Sequence, residues 1–150
     1  MLIIPSIGVK AKVLEAGSIE ILNEQEGVWL EMVSTTTDQP RDDAPKAGDN
    51  APQPGAPGTN TVIAGHRFQY LPPNSTTFYH LDKVKEGEQI VLFWRGERQV
   101  YEIIGIQEVL PQQIEIREAQ PGEIQLTLYT CTPIGSNDRR LAVSSRRVYD

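Results

Sequence analysis

Short apolar and β-branched runs recur along the whole chain, at Leu2–Ile4, Ile7–Val13, Ile19–Leu22, Thr61–Ala64, Gln89–Phe93, Gln99–Ile106, Ile124–Tyr129 and Leu141–Val143. Each has the length of a strand, and turn residues separate most of them. Over Arg98–Ile106 the polar Arg98 and Glu102 interleave with Val100, Ile103 and Ile104, and Arg95-Gly96-Glu97 joins this run to the one before it. That combination predicts a β-hairpin. Helical signals are confined to Thr76–Leu81, behind the N-cap candidates Ser75 and Thr76, and to Pro111–Glu118. Many short strands with one or two short helices predict a mainly β chain, folded as a closed or sandwich-like structure.

Ser34–Asn60 breaks this rhythm. It carries Pro40, Pro45, Pro52, Pro54 and Pro57 with Gly48, Gly55 and Gly58 among polar residues, a composition that cannot build a core element. The segment is expected to be a long Pro/Gly-rich surface loop, either a tolerated insertion or a substrate-contacting lid. No repeat of solenoid or propeller period is present, and 150 residues suit one domain spanning 1–150.

Composition narrows the function classes. With 39% hydrophobic and 23% charged residues the chain has the make-up of a soluble globular domain. Fourteen Lys and Arg against 20 Asp and Glu, a formal charge of −6, argue against a nucleic-acid partner. No run approaches the roughly 18–20 apolar residues of a membrane span, and Met1-Leu2-Ile3-Ile4-Pro5 lacks the features of a signal peptide. The chain opens inside an expected strand, so any membrane association is assigned to a segment upstream of it. The single cysteine excludes an internal disulfide and poses the question of a reactive thiol against an inert buried one.

Three stretches carry apolar strands straight into polar side chains: Asn60-Thr61-Val62-Ile63-Ala64-Gly65-His66-Arg67, Leu126-Thr127-Leu128-Tyr129-Thr130-Cys131-Thr132-Pro133 and Asn137-Asp138-Arg139-Arg140-Leu141. Strand ends hold side chains rigidly at the rim of a core, which is what a catalytic site requires. Thiol catalysis needs a nucleophile, a proton-transfer partner and donors aimed at the developing oxyanion. Of the two histidines, His66 follows a strand and Gly65, whereas His80 lies among aromatics in Phe78-Tyr79-His80-Leu81 and reads as structural.

Taken together, Gly65-His66, Thr127-Leu128-Tyr129-Thr130-Cys131 and an arginine beside Leu141 resemble the sortase family of bacterial cell-surface transpeptidases. The opening Ile4-Pro5-Ser6-Ile7-Gly8-Val9 and the region Glu26-Gly27-Val28-Trp29 resemble the first strands of that family. The sequence Cys131-Thr132-Pro133 resembles class C-like or related members. Arg139 and Arg140 compete for the third position; they point to opposite faces if both lie in a strand. The register of relatives with a downstream Gly and Asn, here Gly135 and Asn137, favours Arg140. The longer segment Ser34–Asn60 departs from the family pattern.

The resemblance implies a closed sortase-type β-barrel of about eight strands, with Cys131 as nucleophile, His66 as proton-transfer partner and Arg140 as oxyanion cation. A free imidazole and a free thiol, at about 6.5 and about 8.5, would form the ion pair in only about one molecule in a hundred. The site itself must therefore activate the sulfur. The implied substrate is a C-terminal sorting signal similar to Leu-Pro-x-Thr-Gly (LPxTG), cleaved after Thr and passed to an amine of a peptidoglycan precursor or a pilin lysine. The implied location is extracytoplasmic, at the bacterial cell surface. Ile63, Ile106 and Leu128 are expected to line an apolar peptide groove, and Thr130 and Thr132 to shape it. Two rival readings keep the fold: a non-catalytic β-barrel binding module and a purely hydrolytic cysteine peptidase. One Cys and two widely spaced His give no zinc pattern. Glu115, Glu118 and Glu123 read as a solvated acidic stretch in preference to a calcium site, so no metal and no cofactor is expected.

Overall fold

The computed structural model describes residues 1–35, 52–67, 75–113, 115–132 and 138–149. Nine strands occupy them: β1 (Leu2–Ile4), β2 (Val9–Ala11), β3 (Val13–Glu15), β4 (Val28–Thr35), β5 (Thr59–Ala64), β6 (Gln89–Trp94), β7 (Glu97–Val109), β8 (Ile124–Thr132) and β9 (Arg139–Val148). They form one sheet in the order β2-β1-β6-β7-β9-β8-β5-β4-β3. The two edge strands, β2 and β3, flank the single residue Lys12. The sheet thus curls back on itself into a nearly closed barrel, which leaves little edge for stray pairing.

Local chemistry explains the elements. β6 and β7 pair antiparallel through Trp94↔Glu97, leaving a two-residue turn. Arg95 and Gly96 both take positive φ there, 48° and 83°, the mirror-image turn whose twist matches flanking strands. Four short 3-10 helices, Pro5–Ile7, Ile19–Asn23, Leu81–Lys83 and Glu115–Arg117, are the helical elements among the described residues. The expected helices shrink to single 3-10 turns near their predicted places. The expected strand Ile19–Leu22 is instead a 3-10 turn: Ser18 caps it by accepting from Glu20 N at 3.2 Å, and only Leu22 is buried. The expected loop also yields at both ends, because Ser34 and Thr35 finish β4 while Thr59 and Asn60 begin β5. Its middle, 36–51, lies outside the described residues.

Two apolar clusters occupy the two faces of the sheet. Inside the barrel Leu2, Ile4, Ile63, Phe78, Leu81, Ile90, Leu92, Tyr101, Ile103, Leu126, Leu128 and Val143 pack together. Outside it, Val62, Ala64, Val109, Tyr129 and Ala142 are covered by Ile116 and flanked by Trp29. All six residues of β5 are buried, as expected of a strand packed on both faces. The β5–β8 pairing is parallel and the β8–β9 pairing antiparallel, so three strands run side by side across the outer cluster.

Candidate active site

Register places the chemistry. In the antiparallel β8–β9 ladder Cys131 lies directly opposite Arg140, and Thr132 opposite Arg139. Directly opposed residues project from the same face of a sheet, so Arg140 and not Arg139 shares the face of the thiol. Arg139 is exposed, whereas Arg140 and Cys131 are half-buried. Arg140 Nη1 donates to the Arg139 carbonyl at 3.2 Å.

On the other flank β5 runs parallel to β8 with Ala64 beside Tyr129. Gly65 N continues the ladder by donating to Tyr129 O at 3.1 Å, and Thr130 Oγ1 donates to Gly65 O at 2.7 Å. The paired register ends at Ala64–Tyr129, two residues before His66 on one chain segment and two before Cys131 on the other. Cys131 thus lies near the end of the middle strand, opposite Arg140 on β9, and His66 follows two residues after the neighbouring strand β5.

Gly65 makes this approach possible. A Cβ built there would fall 2.7 Å from Cδ2 of Phe78, closer than any side chain could tolerate without movement. Beyond it, Phe78 N donates to His66 O at 2.8 Å.

The His66 ring is held by the turn Ile19–Asn23, whose last residue, Asn23, places Oδ1 3.2 Å from Nε2. Partial burial holds the imidazole below its ordinary pKa, opposed in part by a hydrogen bond to the backbone of Leu22. Sequence reasoning missed Leu22 and Asn23 because the turn read as a strand. The capping Ser18 was the signal that could have revealed it.

The adjacent Arg67 was also missed. Its guanidinium is 6% exposed, forms an ion pair with Asp82 at 3.1 Å, and donates to Tyr79 O at 2.9 Å and to the carbonyl of Cys131 itself at 3.2 Å.

The expected groove residues require correction. Ile63 and Leu128 have no exposed surface and belong to the barrel interior. Thr130 and Thr132 are buried at 2% and 6% exposure, and both alternate to the face opposite Cys131. Thr130 serves instead to tie Gly65 to β8. The side chains that share the thiol's face are Val62, Ala64, Tyr129 and Ala142, in the outer cluster. Ile106, also expected in the groove, lies on β7 and is 37% exposed. His80 packs edge-on against Tyr79, with ring centroids 4.9 Å apart, in keeping with a structural part.

Two residues before the cysteine, Tyr129 is locked under a charged cover. Arg117 Nε donates to both carboxylate oxygens of Glu31 at 3.0 and 3.1 Å, and its guanidinium lies 5.1 Å from the Tyr129 ring centre. Burial, aided by Glu31, pushes the Tyr129 phenol up to about 12, so it stays protonated at any working pH. Among the described residues no group of three or more His, Cys, Asp and Glu is placed to hold a metal ion.

A thiol, an imidazole and a guanidinium are the groups that acyl transfer through a thioester requires. A 31% identical stretch of 81 residues, 53% of this chain, matches Sortase A of Streptococcus agalactiae serotype III (strain NEM316), of which it takes in only 33%. In three dimensions the chain superposes on sortase C1 of Streptococcus agalactiae with a TM-score of 0.77 at 26% identity, over 99% of this chain and 66% of that one. A Clostridium perfringens sortase C, solved with the C-terminal cell wall sorting motif, superposes with a TM-score of 0.75 at 25% identity, over 99% of this chain and 69% of that one. The model of the sortase domain matches residues 2–148, and the chain belongs to the sortase family.

Proposed function

We propose that the chain is a cysteine transpeptidase that cleaves an LPxTG-like sorting signal after Thr and joins the freed acyl group to an amine of a cell-wall precursor or a pilin subunit. The observation that carries this reading is the register: Cys131 faces Arg140 across the β8–β9 ladder, and the parallel β5–β8 ladder ends two residues short of both His66 and Cys131. It is further supported by the sorting motif in the Clostridium perfringens structure.

In the first half-reaction the Cys131 thiolate attacks the Thr carbonyl carbon, and the oxygen takes up the negative charge. Arg140, always cationic, donates hydrogen bonds to that oxygen. Collapse breaks the C–N bond while protonated His66 gives its proton to the leaving amine, and a thioester remains. In the second half-reaction an amine attacks the thioester, neutral His66 takes the proton, and the thiolate departs. Burial favours the neutral form of His66. The proposed setting is the outer face of a bacterial membrane, reached through an anchoring segment outside this chain.

The test combines a panel of sorting-signal peptides with an amine acceptor and follows products by mass. Native protein should yield the peptide–amine adduct, and Cys131→Ala and His66→Ala should fall to background. Release of free peptide acid alone, with amine present in excess, would make the protein a hydrolase. Undiminished turnover by Cys131→Ala would refute the mechanism.

A further inference from the structure

A cation buried at a strand end costs free energy unless every donor finds a partner, and Arg67 finds them in three separate places. Nε donates to the carbonyl of Tyr79 at 2.9 Å, Nη2 meets the Asp82 carboxylate at 3.1 Å, and Nη1 reaches the backbone carbonyl of Cys131 at 3.2 Å. The same short segment carries Phe78, whose N–H holds the carbonyl of His66. One planar fork thus joins the residue after His66, the backbone of Cys131 and the 78–82 segment.

We propose that Arg67 is a positioning residue for the reaction: its guanidinium sets the backbone of Cys131 against His66 from beneath the sheet, and touches neither substrate nor thiol. The assignment rests on the cysteine-transpeptidase reading. Its physical basis is the geometry of the fork. A lysine is a point charge on a flexible stem and cannot span two carbonyls and a carboxylate at once, so charge alone does not replace the arginine. A misplacement of about 1 Å at a reacting group can cost on the order of a hundredfold in rate. Asp82, 42% exposed, orients the fork from its far side and contributes less.

The experiment measures, for native protein and for Arg67→Met, Arg67→Lys and Asp82→Asn, the rate of Cys131 alkylation by iodoacetamide from pH 5 to 10, together with kcat and KM for peptide–amine joining. Thermal unfolding of each variant is followed in parallel. Both Arg67 variants should lower kcat by roughly tenfold or more with KM nearly unchanged, and should shift the alkylation profile. Asp82→Asn should move both readouts the same way by a smaller factor. A folded Arg67→Met with native kcat and a native alkylation profile would overturn the proposal, as would full rescue by lysine, which would assign the effect to charge. Should both Arg67 variants fail to fold, Asp82→Asn decides: a native alkylation profile there counts against the proposal. Absence of peptide–amine joining by native protein would sink the transpeptidase reading and leave the alkylation readout intact for Arg67.

Discussion

At the scale of single residues, the two adjacent arginines give the sharpest contrast. Arg140 stands opposite Cys131 and Arg139 opposite Thr132, so the sheet separates them onto different faces. Arg140→Ala should reduce peptide–amine joining by about 10²–10³-fold, the usual cost of losing one oxyanion donor. Arg139→Ala should stay within about twofold of native, as an exposed side chain away from the thiol. His66 supplies a pH prediction. Burial holds its folded pKa below the ordinary imidazole value, so between the two values the unfolded chain binds more protons than the folded one. Stability should therefore be full above about pH 6.5 and fall as pH drops through that value toward the folded pKa. Urea unfolding of native protein and His66→Gln at pH 8, 7, 6 and 5 checks this: the histidine-dependent part of the decline should be missing from the variant. Gly65→Ala tests the close approach to Phe78. Overpacking of that kind typically costs about 1–3 kcal/mol, and here it should displace His66 and lower activity more than stability.

At the scale of elements, the strands that lead to His66 and carry Cys131 and Arg140 were legible because each couples a strand-length apolar run to a distinctive polar end. The mainly β character followed from the same runs. The groove was misread for a physical reason. Sequence reveals the face of a strand by alternation of apolar and polar residues, and β5 is buried at all six positions, so no alternation survives. Ile63 and Leu128 looked suitable because they are large and apolar, yet counting by twos from Cys131 leads to Tyr129 instead. Leu128→Ala should consequently cost about 2–5 kcal/mol of stability, as a core truncation does, with KM for peptide close to native in the folded fraction. A KM rise without loss of stability would return Leu128 to the groove. The turn Ile19–Asn23 was missed because Ile19, Ile21 and Leu22 mimic a strand, and its contact with His66 depends on how β3 and β4 bring it over the sheet, which no local pattern encodes. Arg67 was hidden in the same way, since its partners Asp82 and Cys131 are 15 and 64 residues distant.

At the scale of the whole molecule, the non-sequential strand order β9-β8-β5 is what brings the site segments together. β5 and β8 are separated by some sixty residues of chain, yet their parallel pairing carries the segments leading to His66 and Cys131 side by side, while β9 returns antiparallel with Arg140 opposite Cys131. The strands that complete the barrel between them supply rigidity and the inner core. Sortase C1 of Streptococcus agalactiae shares the fold over 99% of the chain, although the chain spans only 66% of that structure. The most direct test of the account is the intact mass of the protein after brief exposure to an LPxTG peptide, before and after an amine is added. A thioester adduct retaining the peptide through Thr should form on native protein, be absent from Cys131→Ala, and be discharged by the amine into a new amide. No adduct on native protein under turnover conditions, or an equal adduct on Cys131→Ala, would contradict it.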